Sequence, residues 1–194
     1  MSSDHGERTL LDKFAPDRQF VLTEHLVIEA PAAVTFAAVE HLRGGNPESP
    51  TLRVLTRTRV VPARPRQQGP AFEEILRGAP WVSLGERPGR EIAFGAAGRF
   101  WTPLPIWHEI TADGFAHYQR PRSGTIALSF AVLPYQRRQS LLTFETRMCV
   151  ADPVSRRWAE LHWHSIKPAA RTVARQLLHA VNDEATGGRR YARN

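Results

Sequence analysis

Residues 140–183, SLLTFETRMCVADPVSRRWAELHWHSIKPAARTVARQLLHAVND, hold an apolar strand that runs without a linker into a long amphipathic helix. In the strand, Phe144, Thr146 and Met148 share one face while Glu145 and Arg147 share the other. Asp152-Pro153 then starts the helix sharply. An Asp side chain accepts from the orphan N–H groups of a first turn, and Pro at the first helical position has no N–H to leave unpaired. Ala159, His162, Trp163, Ile166, Ala170, Val173, Leu177 and Val181 follow at three- and four-residue steps, while Arg156, Arg157, Glu160, His164, Arg171 and Arg175 fall largely elsewhere. One apolar stripe therefore runs along residues 153–183, a helix on the order of 45 Å long at its rise per residue. Pro168 removes the hydrogen bond to the carbonyl of His164 and predicts a kink, with the stripe in phase on both sides.

Working outward, 194 residues with 42% hydrophobic content suit one well-buried core rather than two. No apolar run is long enough to span a membrane, and residues 1–17 are too polar for a secretory signal, so a cytoplasmic location is expected. The single cysteine, Cys149, excludes an internal disulfide framework and reads as an inert strand thiol. The formal charge is +7, carried almost wholly by arginine, with Lys13 and Lys167 the two lysines. Such a balance favours polyanions. The arginines are scattered rather than striped, however, which fits a GC-rich coding bias better than a nucleic-acid face.

In chain order, residues 1–17 are expected to be a mobile leader, 18–183 one domain and 184–194 a disordered basic tail. A strand over 18–29 precedes a short helix over 32–42, with Phe36 and Val39 inward and Gly44-Gly45 as its stop. Residues 46–70 read as an exposed loop, a candidate lid, with a helix at 51–60 and the basic run Arg53, Arg57, Arg59, Arg64 and Arg66. A helical turn at 71–77 leads to a hairpin, 81–86 and 90–96, joined by Arg87-Pro88-Gly89. A strand over 106–111 follows, then a second hairpin, 124–133 and 140–150, across 134–139. The sum is an α+β fold, a curved antiparallel β-sheet wrapped around a long C-terminal helix.

That order, Ala30-Pro31 at the entry to the first helix, Gly98-Arg99-Phe100-Trp101, the strand end Glu145-Thr146-Arg147, and Trp163 five residues before Pro168 resemble the helix-grip proteins of the START/polyketide-cyclase (SRPBCC) superfamily. More narrowly they resemble bacterial members without an assigned activity, over about residues 20–181. The resemblance implies a large apolar cavity between sheet and helix that takes lipids, polyketides or aromatics. It implies no single activity, since one fold hosts many.

On that expectation Trp81, Phe94, Trp101, Phe130, Phe144 and Trp163, with Phe100 beside them, are candidate ligand-binding residues; as bare sequence they read as core aromatics. His108, Glu145 and Arg147 are the polar groups such a cavity could present. Glu145 and Arg147 would orient a polar headgroup if they faced inward, but Phe144 and Met148 are the better inward pair, which favours an outer ion pair. His162 and His164 point about 200° apart on a helix and cannot share an ion; no metal or other cofactor is expected. Gly95-Ala-Ala-Gly98 reads as close backbone packing rather than a nucleic-acid clamp, and no phosphate loop or nucleophile elbow occurs. Three functions remain open: binding of a small apolar molecule, a cyclase or dehydratase using His108, Glu109, Glu145 or Arg147, and arginine-mediated contact with an anionic membrane surface or, less well supported, nucleic acid.

Overall fold

The computed structural model describes residues 8–42 and 78–191. Part of the expected leader is structured. Helix α1 (Leu10–Phe14) is closed by Thr9 and Asp12, each side chain accepting from the other's backbone N–H. Leu11 is fully buried, so the polar look of residues 1–17 hid an apolar pair that the sheet needs as cover. Strand β1 (Phe20–Ile28) and helix α2 (Ala32–Leu42) fall where the sequence placed them, with Phe36 and Val39 buried. The lid, the helix and the helical turn expected between 46 and 77 lie outside the described residues.

Strands β2 (Val82–Arg87) and β3 (Glu91–Arg99) form the first hairpin around Gly89, whose φ of 75° suits a residue without Cβ. Strand β4 (Ile106–His108) is shorter than expected because Thr111 leaves the ladder and caps helix α3 (Ala112–Phe115), its Oγ1 accepting from Gly114 N–H. Strands β5 (Gly124–Gln136) and β6 (Gln139–Val150) turn on Arg137-Arg138 alone. Pairing continues past Pro134 through an irregularity between Pro134 and Gln136, so the connection is tighter than 134–139.

Among the described residues the six strands make one antiparallel sheet in the order β1-β6-β5-β3-β2, with β4 on β3. Register places Phe20 opposite Met148, Leu128 opposite Phe94 and Phe130 opposite Phe144, so large apolar side chains share an inner face. Helix α4 (Pro153–Tyr191) covers that face with α2, burying Ala159, Trp163, Ile166, Ala170, Leu177 and Val181. This is a helix-grip architecture. Asp152 caps α4 as expected, its Oδ1 accepting from Ser155 N–H at 2.8 Å. The helix passes through Pro168 and continues beyond Asp183 to Tyr191, which corrects the expected disordered tail: Ala185 is buried in the core and carries the stripe onward.

The outer face has its own cover. Leu10, Leu11 and Phe115 close over Leu84, Ala93 and Ala127. Gly95 and Gly98 are the close-packing positions foreseen: a Cβ at Gly95 would lie 2.5 Å from the Phe115 ring, and one at Gly98 would strike the Ile106 carbonyl.

Candidate functional site

Helix α4 carries a second apolar stripe at its N-terminal end. Val154, Trp158 and Leu161 recur at i, i+4 and i+7, beside the buried face rather than on it, and stand 71%, 63% and 58% exposed. Opposite them is the bend that follows β3. Thr102 Oγ1 donates to the Leu104 carbonyl at 2.9 Å, Phe100 packs edge-on against Trp101 at 5.1 Å, and Phe100 stacks on Trp107 at 6.0 Å. This bracing fixes the Trp101 ring at the bend. Between the two walls lies a groove of about 790 Å³, lined by Trp101, Thr102 and Pro103 on one side and by Val154, Trp158 and Leu161 on the other.

Arg99, Arg122, Asp152, Ser155, His162 and Ser165 supply its polar lining. Two of these side chains, Asp152 and Ser165, are engaged within the protein. Asp152 Oδ2 accepts from Arg122 N–H at 2.9 Å in addition to the cap, and both bonds hold its carboxyl below the usual carboxylate range. Ser165 Oγ donates to the His162 carbonyl at 2.7 Å. Among the described residues two buried side-chain nitrogens have no partner: Arg99 Nε and His162 Nε2. His162 is 8% exposed, and burial lowers its pKa below the ordinary 6.5, so the ring is neutral at pH 7.

Of the six aromatic residues read as ligand-binding, Trp101 lines this groove. Phe94, Phe130, Phe144 and Trp163 are buried between sheet and helix, with Phe130 and Phe144 ring to ring at 5.2 Å and Trp163 against Phe20 at 6.4 Å. Trp81, also buried, borders a separate outer cleft with Val82 and Glu109.

Glu145 and Arg147 are not cavity groups. They lie on the outer face, where Arg147 is 1% exposed and donates to Glu145 at 2.5 Å, to Asp12 at 2.8 Å and to the Ala15 carbonyl at 3.0 Å. The guanidinium ties the start of the chain to the sheet. Burial pushes the Asp12 carboxyl up, but hydrogen bonds from Arg18 and Arg147 outweigh it and hold the group well below the carboxylate range. Nearby, both Glu91 oxygens accept from Leu10 N–H, and burial raises the Glu91 pKa.

His108 also lies away from the groove. Its Nδ1 meets Tyr118 Oη, Tyr118 donates to Ser123 Oγ at 2.9 Å, and Ser123 donates to the Arg120 carbonyl at 2.6 Å. A carbonyl only accepts, so each upstream group must donate, which leaves His108 as the Nδ1–H tautomer. Its pKa is lowered by burial and by Arg120 and Arg99. None of His108, Glu109, Glu145 and Arg147, the residues named for a cyclase or dehydratase, lines the groove. Cys149 accepts from Gln19 at 3.1 Å, and burial raises its pKa, as suits an inert thiol. Among the described residues no cluster has metal-ligand spacing, and no helix is long and apolar enough to cross a membrane. The arginines of 53–66 and Arg193 lie outside the described residues.

No protein-family model matches the sequence, and no curated protein matches it. Solved structures do. A conserved protein from Geobacillus kaustophilus is 6% identical with a TM-score of 0.46, covering 87% of this chain and 96% of its own. The aromatase/cyclase ZhuI from Streptomyces sp. R1128 is 13% identical with a TM-score of 0.40 over 86% and 93% of the two chains. The di-domain aromatase/cyclase BexL is 11% identical with a TM-score of 0.43; 84% of this chain spans 46% of that one. The architecture itself rests on the strand order, the register and the helix that covers the inner face.

Proposed function

We propose that this protein binds a small, mostly apolar molecule in the groove between the N-terminal turns of α4 and the 99–103 bend. The observation that carries the reading is the exposed stripe Val154, Trp158 and Leu161 facing Trp101 across about 790 Å³. Three large apolar side chains held out of a well-filled core leave apolar surface in water that a ligand would cover. The mechanism is enclosure against two tryptophans, with polar lining groups setting orientation. Each 100 Å² of ligand carbon removed from water contributes about 2.5 kcal/mol. Micromolar affinity needs roughly 8 kcal/mol, so an open groove of this kind relies on polar anchors as well as on apolar contact.

The test is a tryptophan-quenching titration with 1-pyrenebutanol on the full chain, alongside Trp158→Ala and Leu161→Ser. Saturable binding weakened about tenfold or more by each substitution is the expected result. Equal affinity in all three proteins would place the probe elsewhere and end the groove reading. Native mass spectrometry of gently purified protein adds the class of any ligand that co-purifies.

A further inference from the structure

We infer that the rim of this groove is a docking face for an anionic lipid bilayer, with Leu104, Trp158 and Leu161 dipping among the lipids while Arg122 and Arg157 meet the headgroups. The inference takes from the groove reading only the place of the opening. Both walls end in apolar side chains held in water. On the helix side these are Val154, Trp158 and Leu161; on the bend side Leu104, next to the lining residue Pro103, is 82% exposed, and Ile106 is 45% exposed. The bend is braced rather than slack: Thr102 Oγ1 donates to the Leu104 carbonyl, which fixes the backbone that holds the leucine out. A ligand in the groove covers the facing sides of Trp101 and Trp158 and leaves Leu104 in water, so a second apolar partner is needed to account for it.

The charges beside this rim say which partner. Arg157 lies at i+3 from Val154 and i−4 from Leu161, so it borders the stripe, and Arg122 is exposed in the groove lining. Among the described residues neither guanidinium is in an ion pair. The one carboxylate of the lining, Asp152, already accepts from Ser155 N–H with one oxygen and from Arg122 N–H with the other. A second copy of this chain docked through the same face would bring these arginines against themselves across a two-fold axis. A bilayer with anionic headgroups answers them, and it takes tryptophan and leucine at the depth where an arginine stem still reaches the phosphates. No helix among the described residues is long and apolar enough to span it, so the contact is peripheral.

The experiment is co-sedimentation of the full chain with vesicles of phosphatidylcholine mixed with phosphatidylglycerol, and of phosphatidylcholine alone. The mixed vesicles should bind the chain, and the neutral ones should bind it about tenfold or more weakly. Leu104→Ser should weaken binding to the mixed vesicles roughly tenfold, as one leucine fewer leaves water, and Leu104→Trp should restore it. Arg157→Gln should cost about fivefold. Neither Leu104 nor Arg157 lines the groove, so the 1-pyrenebutanol titration without vesicles should be unchanged in all three variants, which also reports that they are folded. A wild type that leaves both vesicles in suspension would overturn the docking face, as would mixed-vesicle binding that Leu104→Ser does not weaken, since the contact would then lie elsewhere or be charge alone. A dimer that Leu104→Ser dissociates, in a chain that ignores vesicles, would give the face to a second copy instead. In each of these cases saturable 1-pyrenebutanol binding keeps the groove reading; vesicle binding without probe binding would remove the groove and keep the face.

Discussion

His162 shows how one side chain can belong to the core by burial and to the site by chemistry. Its ring is on the edge of the α4 stripe, buried like an apolar residue, yet Nε2 has no partner. The depressed pKa has a consequence for stability. Because the folded value lies below the ordinary 6.5, the unfolded chain binds more protons as the pH falls through this range. The contribution of His162 is therefore complete above about pH 6.5 and is lost as the pH drops toward the folded value. His108, lowered in the same direction, adds to the slope. Urea unfolding between about pH 5 and 7.5 should show stability rising with pH, and His162→Gln should flatten part of the rise. An identical slope in the variant would mean that the imidazole is not desolvated.

At the scale of elements, the five-residue α1 does more than its length suggests. Its apolar residues cover Leu84, Ala93 and Ala127 on the outer face, and its polar groups engage Glu91 and Arg147. Leu11→Ala should cost about 2–4 kcal/mol in urea unfolding, the range for emptying a fully buried leucine site. Arg18→Ala, which removes an ion pair whose arginine is 60% exposed, should cost only a small fraction of that, because solvent screens the pair. Comparable losses for the two would show that α1 is held by charge rather than by packing. Helix α4 is divided in a different way. Farther along, Arg171 and Arg175 reach Glu24 of β1 at 2.7 and 2.9 Å, while its first turns hold out the stripe that walls the groove.

For the molecule as a whole, the groove links occupancy to stability. A ligand that binds the folded chain alone, present at about 100 times its Kd, stabilises by about 2.7 kcal/mol. For a chain of this size that corresponds to a rise in Tm of roughly 5–10 °C. Calorimetry with saturating 1-pyrenebutanol should show such a rise in the wild type and a much smaller one in Trp158→Ala at the same ligand concentration. Equal shifts in both would separate stabilisation from the groove.

The sequence by itself determined the order of the strands, helix α2, the cap at Asp152 and the buried stripe of α4, because each is written in local periodicity and turn chemistry over neighbouring residues, whereas the short helices α1 and α3 carry too few turns to show a period. It also marked Gly95 and Gly98 as places where chains pack closely. It placed Glu145 and Arg147 on one strand face but did not say that α1 would lie over them, since the partners Asp12 and Ala15 are more than 130 residues away. The groove was harder to read. Val154, Trp158 and Leu161 have helical spacing but stand off the main stripe, and a residue out of phase with the core is a signal that went unused. Whether Arg99 finds an acceptor depends on what the register and the 99–103 bend bring opposite it. Only the tertiary structure decided that, because a buried donor's partner is a matter of proximity in space, and no spacing along the chain encodes it.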